Sequence, residues 1–350
     1  MAAFDTTFPA DSLEFCPTIG FQDIFVCGTY KLLDQPALVS DPKADSSSKV
    51  LQTRRGQCLA FRVRPDNNGG TPLYGERCHR SSSAAPLLSV ADSEGNITLH
   101  EWREQSFTQV DSIMCAPSDT LCLSLDWSNR RTGTSNLGSL VVSLSNGSLC
   151  LLTPTVGLGL AVTETWQAHD YEPWVAAWNC WDTSVIYSGG DDLKLKAWDI
   201  RQGFMRPTFV NKRFEAGVTS IQSHPYVEHI LAVGSYNNAV HIFDARKMTA
   251  TVAQVDVGGG AWRVKWHPSE RRKQDLLVAC MHDGFKVIHF DAASDGLSSL
   301  FDVSRVLKRN DDHESMAYGA DWSHAGPLMS GETLIGGCSF YDHKMSLWSA

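Results

Sequence analysis

Short runs of alternating apolar and polar positions dominate the chain, and each run breaks at a cluster of Gly, Ser, Asn or Asp. VIYSGGDDLKLKAWDIR, ILAVGSYNNAVHIFDAR, LLVACMHDGFKVIHFD and TLIGGCSFYDHKMSLW all read as paired strands joined by tight turns. Few segments carry the 3.6-residue period of an amphipathic helix, so the chain is predicted to be almost wholly β. The hairpins also repeat. SLEFCP, SLDWSN, VAAWNC, SIQSHP, VKWHPS and GADWSH align on one landmark position, held by Phe15, Trp127, Trp178, Ser223, Trp266 and Trp322. From Trp127 onward the landmarks stand 43 to 56 residues apart, and the first interval of 112 residues accommodates two units with one landmark missing.

Each unit offers three regular strands, a, b and c, and a looser strand d. A Trp-Asp pair closes strand c at Trp198-Asp199, with a weakened copy at Phe243-Asp244. This is the signature of WD-repeat blades, and it predicts an all-β, seven-bladed WD-repeat β-propeller that takes in residues 1–350 as one unit. The second blade is degenerate or incomplete, because its strand a would have to come from the Ser-rich ERCHRSSSA, although Leu87 to Trp102 supplies good b and c strands. The last blade lacks an outer strand after Trp348. Residues 2–8 can supply it, which removes an open sheet edge, and residues 34–49 then form a surface loop inside the first blade.

Charge and composition narrow the function classes. A net charge of -9 argues against a general nucleic-acid or anionic-membrane binder, since both need a basic face. Residues 132–163 carry no charge, yet Ser, Thr, Asn, Gly and Pro154 interrupt them well short of the ~18 apolar residues of a membrane span. Ten Cys in 350 residues, behind a start without a basic or apolar leader, point to a reduced, cytoplasmic, monomeric protein. No G-x-S-x-G, H-E-x-x-H, C-x-x-C, dinucleotide or P-loop pattern occurs, so neither a metal nor a cofactor is expected.

Two constellations stand out. His169, Ser188, Asp192 and Trp198 sit where a WD blade builds a hydrogen-bonded set across its sheet, so His169 is either a structural group or a proton acceptor. Four residues before each landmark stand Asp11, Leu123, Trp174, Thr219, Trp262 and Tyr318, close to one rim of the central channel. The turns between strands b and c open on that rim and add Tyr236, His282, Asp283, Tyr341, Asp342 and His343. Aromatics with carboxylates around a concave mouth suit a quaternary ammonium ligand, while packing between blades would use the same residues. One step before the landmarks, Glu14, Asp126, Asp321 and Lys265 are expected to form hydrogen bonds or ion pairs between blades.

The strings WQAHDYEPWVAAWN with YSGGDD, GVTSIQSHP with EHILAVGSY, WRVKWHP, ACMHDGFK, YGADWS and CSFYDH resemble the WD-repeat diphthine methylesterases of the diphthamide pathway, often called diphthine methyltransferases. The resemblance runs through residues 121–348 and into the first unit at ADSLEFCP and CGTY, and departs from the family at the short second blade and at Asn237. It implies hydrolysis of the methyl ester of methylated diphthine on elongation factor 2, giving diphthine and methanol. The implied substrate carries a trimethylammonium group, which fits the aromatic and acidic rim. The resemblance assigns no catalytic residues. Candidates for the proton acceptor are His282 and His343, each beside an acid, Asp283 or Asp342, that can orient an imidazole; His169 is third, and Asp11 or Glu172 follows if no histidine serves. Trp174, Trp262, Tyr318, Tyr236 and Asp11 are the candidate substrate-binding residues, with Arg263 to hold a carboxylate or the protein substrate. The rival class is a non-enzymatic adaptor that docks protein partners on its rim, in a ubiquitin ligase or in diphthamide assembly.

Overall fold

In the computed structural model the alternating runs pair into seven antiparallel sheets, five of four strands and two of three. The structure describes residues 2–33, 53–63, 85–131, 137–156, 159–291, 301 and 303–350. Blades three to six each follow one pattern. Blade four, for example, runs outward from the axis through Val175–Trp178, Val185–Gly189, Leu195–Asp199 and Phe209–Asn211. Among the described residues the only helical element is a 3-10 turn at Glu270–Arg272, and no helix is long and apolar enough to cross a membrane. The all-β propeller read from the sequence is therefore the observed architecture.

Blade seven contains both ends of the described chain. Ala2–Asp5 pairs antiparallel with Lys344–Ser349, in register Ala2 to Leu347 and Asp5 to Lys344. The Thr6 backbone N–H then donates to His343 O at 2.8 Å, and Phe4 packs edge-on against Phe61 of blade one. Blade two shows Leu87–Ala91, Asn96–Arg103 and Ser106–Met114. The ERCHRSSSA segment and the 34–49 loop lie outside the described residues.

Sequence patterning explains how the blades hold together. Apolar side chains from facing sheets form the core, with Trp127, Trp178, Trp266 and Trp322 all buried between blades. The inner strand of each blade also presents N–H groups that its own sheet cannot use, and an unpaired buried N–H costs about as much as a lost hydrogen bond. In three blades the polar side chain one step before the landmark accepts one. Asp126 takes the Trp178 N–H at 2.8 Å, Gln222 that of Trp266 at 2.5 Å, and Asp321 that of Phe15 at 2.8 Å, each across a blade boundary. The Trp178 and Trp322 indoles return the contact, donating to the Asp126 and Lys265 carbonyls.

The same positions carry charges across the axis. Lys265 of blade six reaches past blade seven to Glu14 of blade one, Nζ to Oε1 2.6 Å, and stands 3.6 Å from Asp321 Oδ1. Arg130 pairs with Asp126 in blade three. The Glu14, Asp126, Asp321 and Lys265 set expected to link blades does so, with Arg130 as an added member. Burial pushes the Asp126 carboxyl above the ordinary carboxylate range, with Arg130 opposing.

Candidate functional site

A β-bulge builds the mouth of the channel. In blades one, three, five and seven the register of strand a shifts across a single residue, and that residue is Asp11, Leu123, Thr219 and Tyr318 respectively. A bulge turns its extra side chain out of the alternation of the strand, so the positions four before the landmarks are re-aimed as a set. In blades four and six the equivalent residues, Trp174 and Trp262, come one residue before the strand begins. Gly319 lets blade seven close on blade one beside this bulge, because a Cβ there would lie 2.5 Å from Leu13 N.

The aromatics meet. Trp262 is the hub, 4.9 Å from Tyr318 in a stacked arrangement and 5.7 Å from both Trp174 and Tyr236, ring centroid to centroid. Tyr318 continues to Phe340 at 5.4 Å, and Phe340 to Tyr30 at 5.2 Å and Tyr341 at 5.0 Å. Trp174, Trp262, Tyr236, Tyr318, Phe340 and Tyr30 are half-buried, and Tyr341 is exposed. Sequence reasoning missed Phe340 and Tyr30 as members. The available signal was the end of strand b, since Tyr236 and Phe340 each follow its last residue and Tyr30 lies near its end in blade one.

Charge surrounds the rings. Trp174 Nε1 donates to Asp191 at 2.6 Å, and the Asp191 N–H donates to Glu172 O at 3.0 Å, which ties the loop bearing Glu172 and Trp174 to the turn of its own blade. Asp191 was not singled out from the sequence. Burial pushes Asp11 above the ordinary carboxylate range, with Arg263 opposing. Burial also raises the Tyr30 phenol to about 12, with Asp11 and Tyr318 adding to it, and raises Tyr236 and Tyr318. All three phenols are therefore neutral at physiological pH. The Arg263 guanidinium lies 5.8 Å from the Trp262 ring centroid. Among the described residues no group of three His, Cys, Asp or Glu side chains can hold a metal ion.

The candidate histidines lie elsewhere. His169 is sealed in blade four, with Nδ1 2.8 Å from Asp192 and Nε2 2.7 Å from Ser188, whose Oγ also accepts from Trp198 Nε1 at 2.9 Å. This is the hydrogen-bonded set across the blade that the sequence predicted. His282 is exposed beside a polar depression of about 290 Å³ lined by Asp283, Arg309, Asp311, His313 and Glu314. His343 lines a second depression with Ala3, Phe4 and Asp5. Neither depression includes a ring of the aromatic array. The acids expected to orient these imidazoles are engaged otherwise. Asp283 is held by Lys286 and by Arg309 at 2.8 Å, which together pull its pKa down, and Asp342 accepts from Ser339 Oγ at 2.5 Å and the Glu314 N–H at 2.9 Å. His313, which the sequence did not flag, bonds Ser339 and Ser346 in blade seven.

The mouse protein named diphthine methyltransferase is 38% identical over 344 residues, covering 92% of this chain and 69% of its own length. The chain belongs to the diphthine methyltransferase family. Its human member is 37% identical over 91% of the chain and 73% of its own, and the Dictyostelium discoideum homologue is 32% identical over 97% and 96%. No protein-family model matches the chain. Among solved structures, a chain from the mitotic checkpoint complex superposes with a TM-score of 0.68 at 15% identity, covering 100% of this chain and 93% of that one. That likeness shows the propeller fold alone.

Proposed function

We propose that this diphthine methyltransferase family member acts in diphthamide biosynthesis as a carboxyl methylesterase. Its substrate is methylated diphthine on elongation factor 2, and water converts the methyl ester to diphthine and methanol. The observation that carries the reading is the aromatic array around Trp262, with Asp191 at its edge. A trimethylammonium group has no hydrogen to donate, so a site can recognise it only by aromatic faces and carboxylate charge. Neutral Trp and Tyr rings meeting at 4.9 to 5.7 Å centroid separation offer those faces.

The deciding experiment incubates the purified protein with methylated elongation factor 2 and measures methanol. Release supports the esterase, while transfer of methyl from a donor to the factor with no methanol formed would reverse the assignment. Trp262→Ala should lower kcat/KM by about 2- to 30-fold, the ~0.5 to 2 kcal/mol of a cation–π contact. Circular dichroism should remain native. A loss that merely tracks the fraction of unfolded protein would make Trp262 a packing residue.

A further inference from the structure

We infer that Asp11, and none of the histidines, is the proton acceptor that activates the hydrolytic water at the channel mouth; the inference rests on the esterase reading above. Three observations carry it. Asp11 is the bulge residue of its strand, so its carboxyl is turned to the mouth and remains partly accessible to water. Among the described residues no group donates a hydrogen bond to that carboxyl, whereas Asp191 accepts from Trp174. Asp126, Asp192, Asp283, Asp321 and Asp342 are likewise engaged by donors in their own networks. A base needs an unoccupied lone pair, and Asp11 has one where the substrate must sit.

The surroundings suit the task. Arg263 on the inner strand of blade six is the cation within electrostatic reach of Asp11, Tyr30 and Cys27 face it from the second strand of blade one, and Tyr318 faces it from blade seven. Burial favours the protonated carboxyl and so makes the carboxylate a stronger base than one in water. The two acids at the mouth thereby divide the work. Asp191, exposed and held by the Trp174 indole, supplies fixed negative charge for the trimethylammonium group. Asp11 takes the proton.

The step balances without a cofactor. As the water oxygen bonds to the ester carbonyl carbon, Asp11 accepts one of its protons, and the carbonyl π pair moves onto oxygen, where the Arg263 charge stabilises it. When that pair returns, the carbon–methoxy bond breaks, and the methoxy oxygen takes the proton from Asp11 to leave as methanol. The remaining carboxylic acid loses its proton to solvent, and the product carboxylate stands beside Arg263.

The test compares wild type with Asp11→Asn and Asp11→Glu. It reads methanol release from methylated elongation factor 2, the kcat and KM for that factor, and quenching of tryptophan fluorescence by tetramethylammonium chloride. Asp11→Asn should lower kcat by about 10² to 10⁴-fold, the usual contribution of a general base, while KM and tetramethylammonium affinity stay within about threefold. Wild-type kcat/KM should fall on acidification with a midpoint above the ordinary aspartate range, because the base must be ionised. Asp11→Glu should move that midpoint and Asp11→Asn should abolish it. Asp11→Asn with near-normal kcat overturns the inference. So does a parallel loss of KM and tetramethylammonium affinity at unchanged kcat, which would make Asp11 the counter-ion. Wild-type protein that releases no methanol refutes the esterase reading itself and the inference with it.

Discussion

Lys265→Met should destabilise the propeller by about 3 to 5 kcal/mol, the cost of removing one partner from a buried ion pair. Methionine keeps the unbranched apolar stem to within one atom, so the loss reports chiefly the charge. The Lys265 ammonium is 2.6 Å from Glu14 and 3.6 Å from Asp321, and only 7% of the residue is exposed. Without it, Glu14, Asp126 and Asp321 share the Arg130 guanidinium across the channel. Asp321 still has to accept the Phe15 N–H that joins blade seven to blade one. The stranded carboxyls should bind protons more tightly in the folded state than in the unfolded one. Folded-state pKa values raised in this way favour the fold at low pH, so the gap between variant and wild type should narrow on acidification. Chemical denaturation at pH 5 and pH 7.5 reads both effects, and adding Glu14→Gln should recover part of the loss. A difference below ~1 kcal/mol at both pH values would mean that water, not protein, solvates the cluster.

His169→Ala should cost about 3 kcal/mol, because it leaves Ser188 and Asp192 without their partner inside the sheet, and leave turnover per folded molecule unchanged. The hydrogen-bond chain dictates the tautomer: Trp198 Nε1–H donates to Ser188, Ser188 donates to His169 Nε2, and His169 Nδ1–H donates to Asp192. Burial keeps the imidazole neutral by pushing its pKa down. Burial alone would push Asp192 up, but the His169 bond and Lys196 outweigh it and pull the carboxyl down to about 2. A depressed carboxyl stabilises the fold above its unfolded pKa of about 4 and loses that contribution as pH falls toward 2. Wild type should therefore lose stability through that window, and His169→Ala should lose less of it. Methanol release corrected for folded fraction separates this structural role from catalysis, because a base would cost 10²-fold or more.

The blade pattern was legible because it depends on local chemistry. Landmark aromatics in five units, with turn residues and period-two runs, mark the repeat, and strands such as Val185–Gly189 and Ile230–Ser235 follow directly from VIYSG and ILAVGS. Trp174, Trp262 and Tyr318 were legible as a group because the position four residues before the landmark repeats from blade to blade. What crosses the axis was hidden. Nothing near Lys265 in the chain indicates that Glu14, 251 residues away, receives its ammonium. The histidines show the same limit, since a turn imidazole reads alike in sequence whether it is sealed, as His169 is, or exposed, as His282 is. Burial depends on the neighbouring blade, and the acids Asp283 and Asp342 look free until their donors from distant parts of the chain, Arg309 and the Glu314 N–H, are seen.

The pairing of Ala2–Asp5 with Lys344–Ser349 sets an order on biosynthesis. The ribosome makes Ala2–Asp5 some 340 residues before its partner strand, so the nascent chain carries an unsatisfied edge over that interval, at about 5 to 20 residues added per second. The ring cannot shut until Lys344–Ser349 has emerged. Blades three to six, whose four strands are contiguous in the chain, can pair as they emerge, whereas blade seven must wait for strands made far apart in time. Chaperone demand should accordingly centre on Ala2–Asp5 and Lys344–Ser349, and a chain stalled before Lys344 would leave the ribosome with Ala2–Asp5 unpaired.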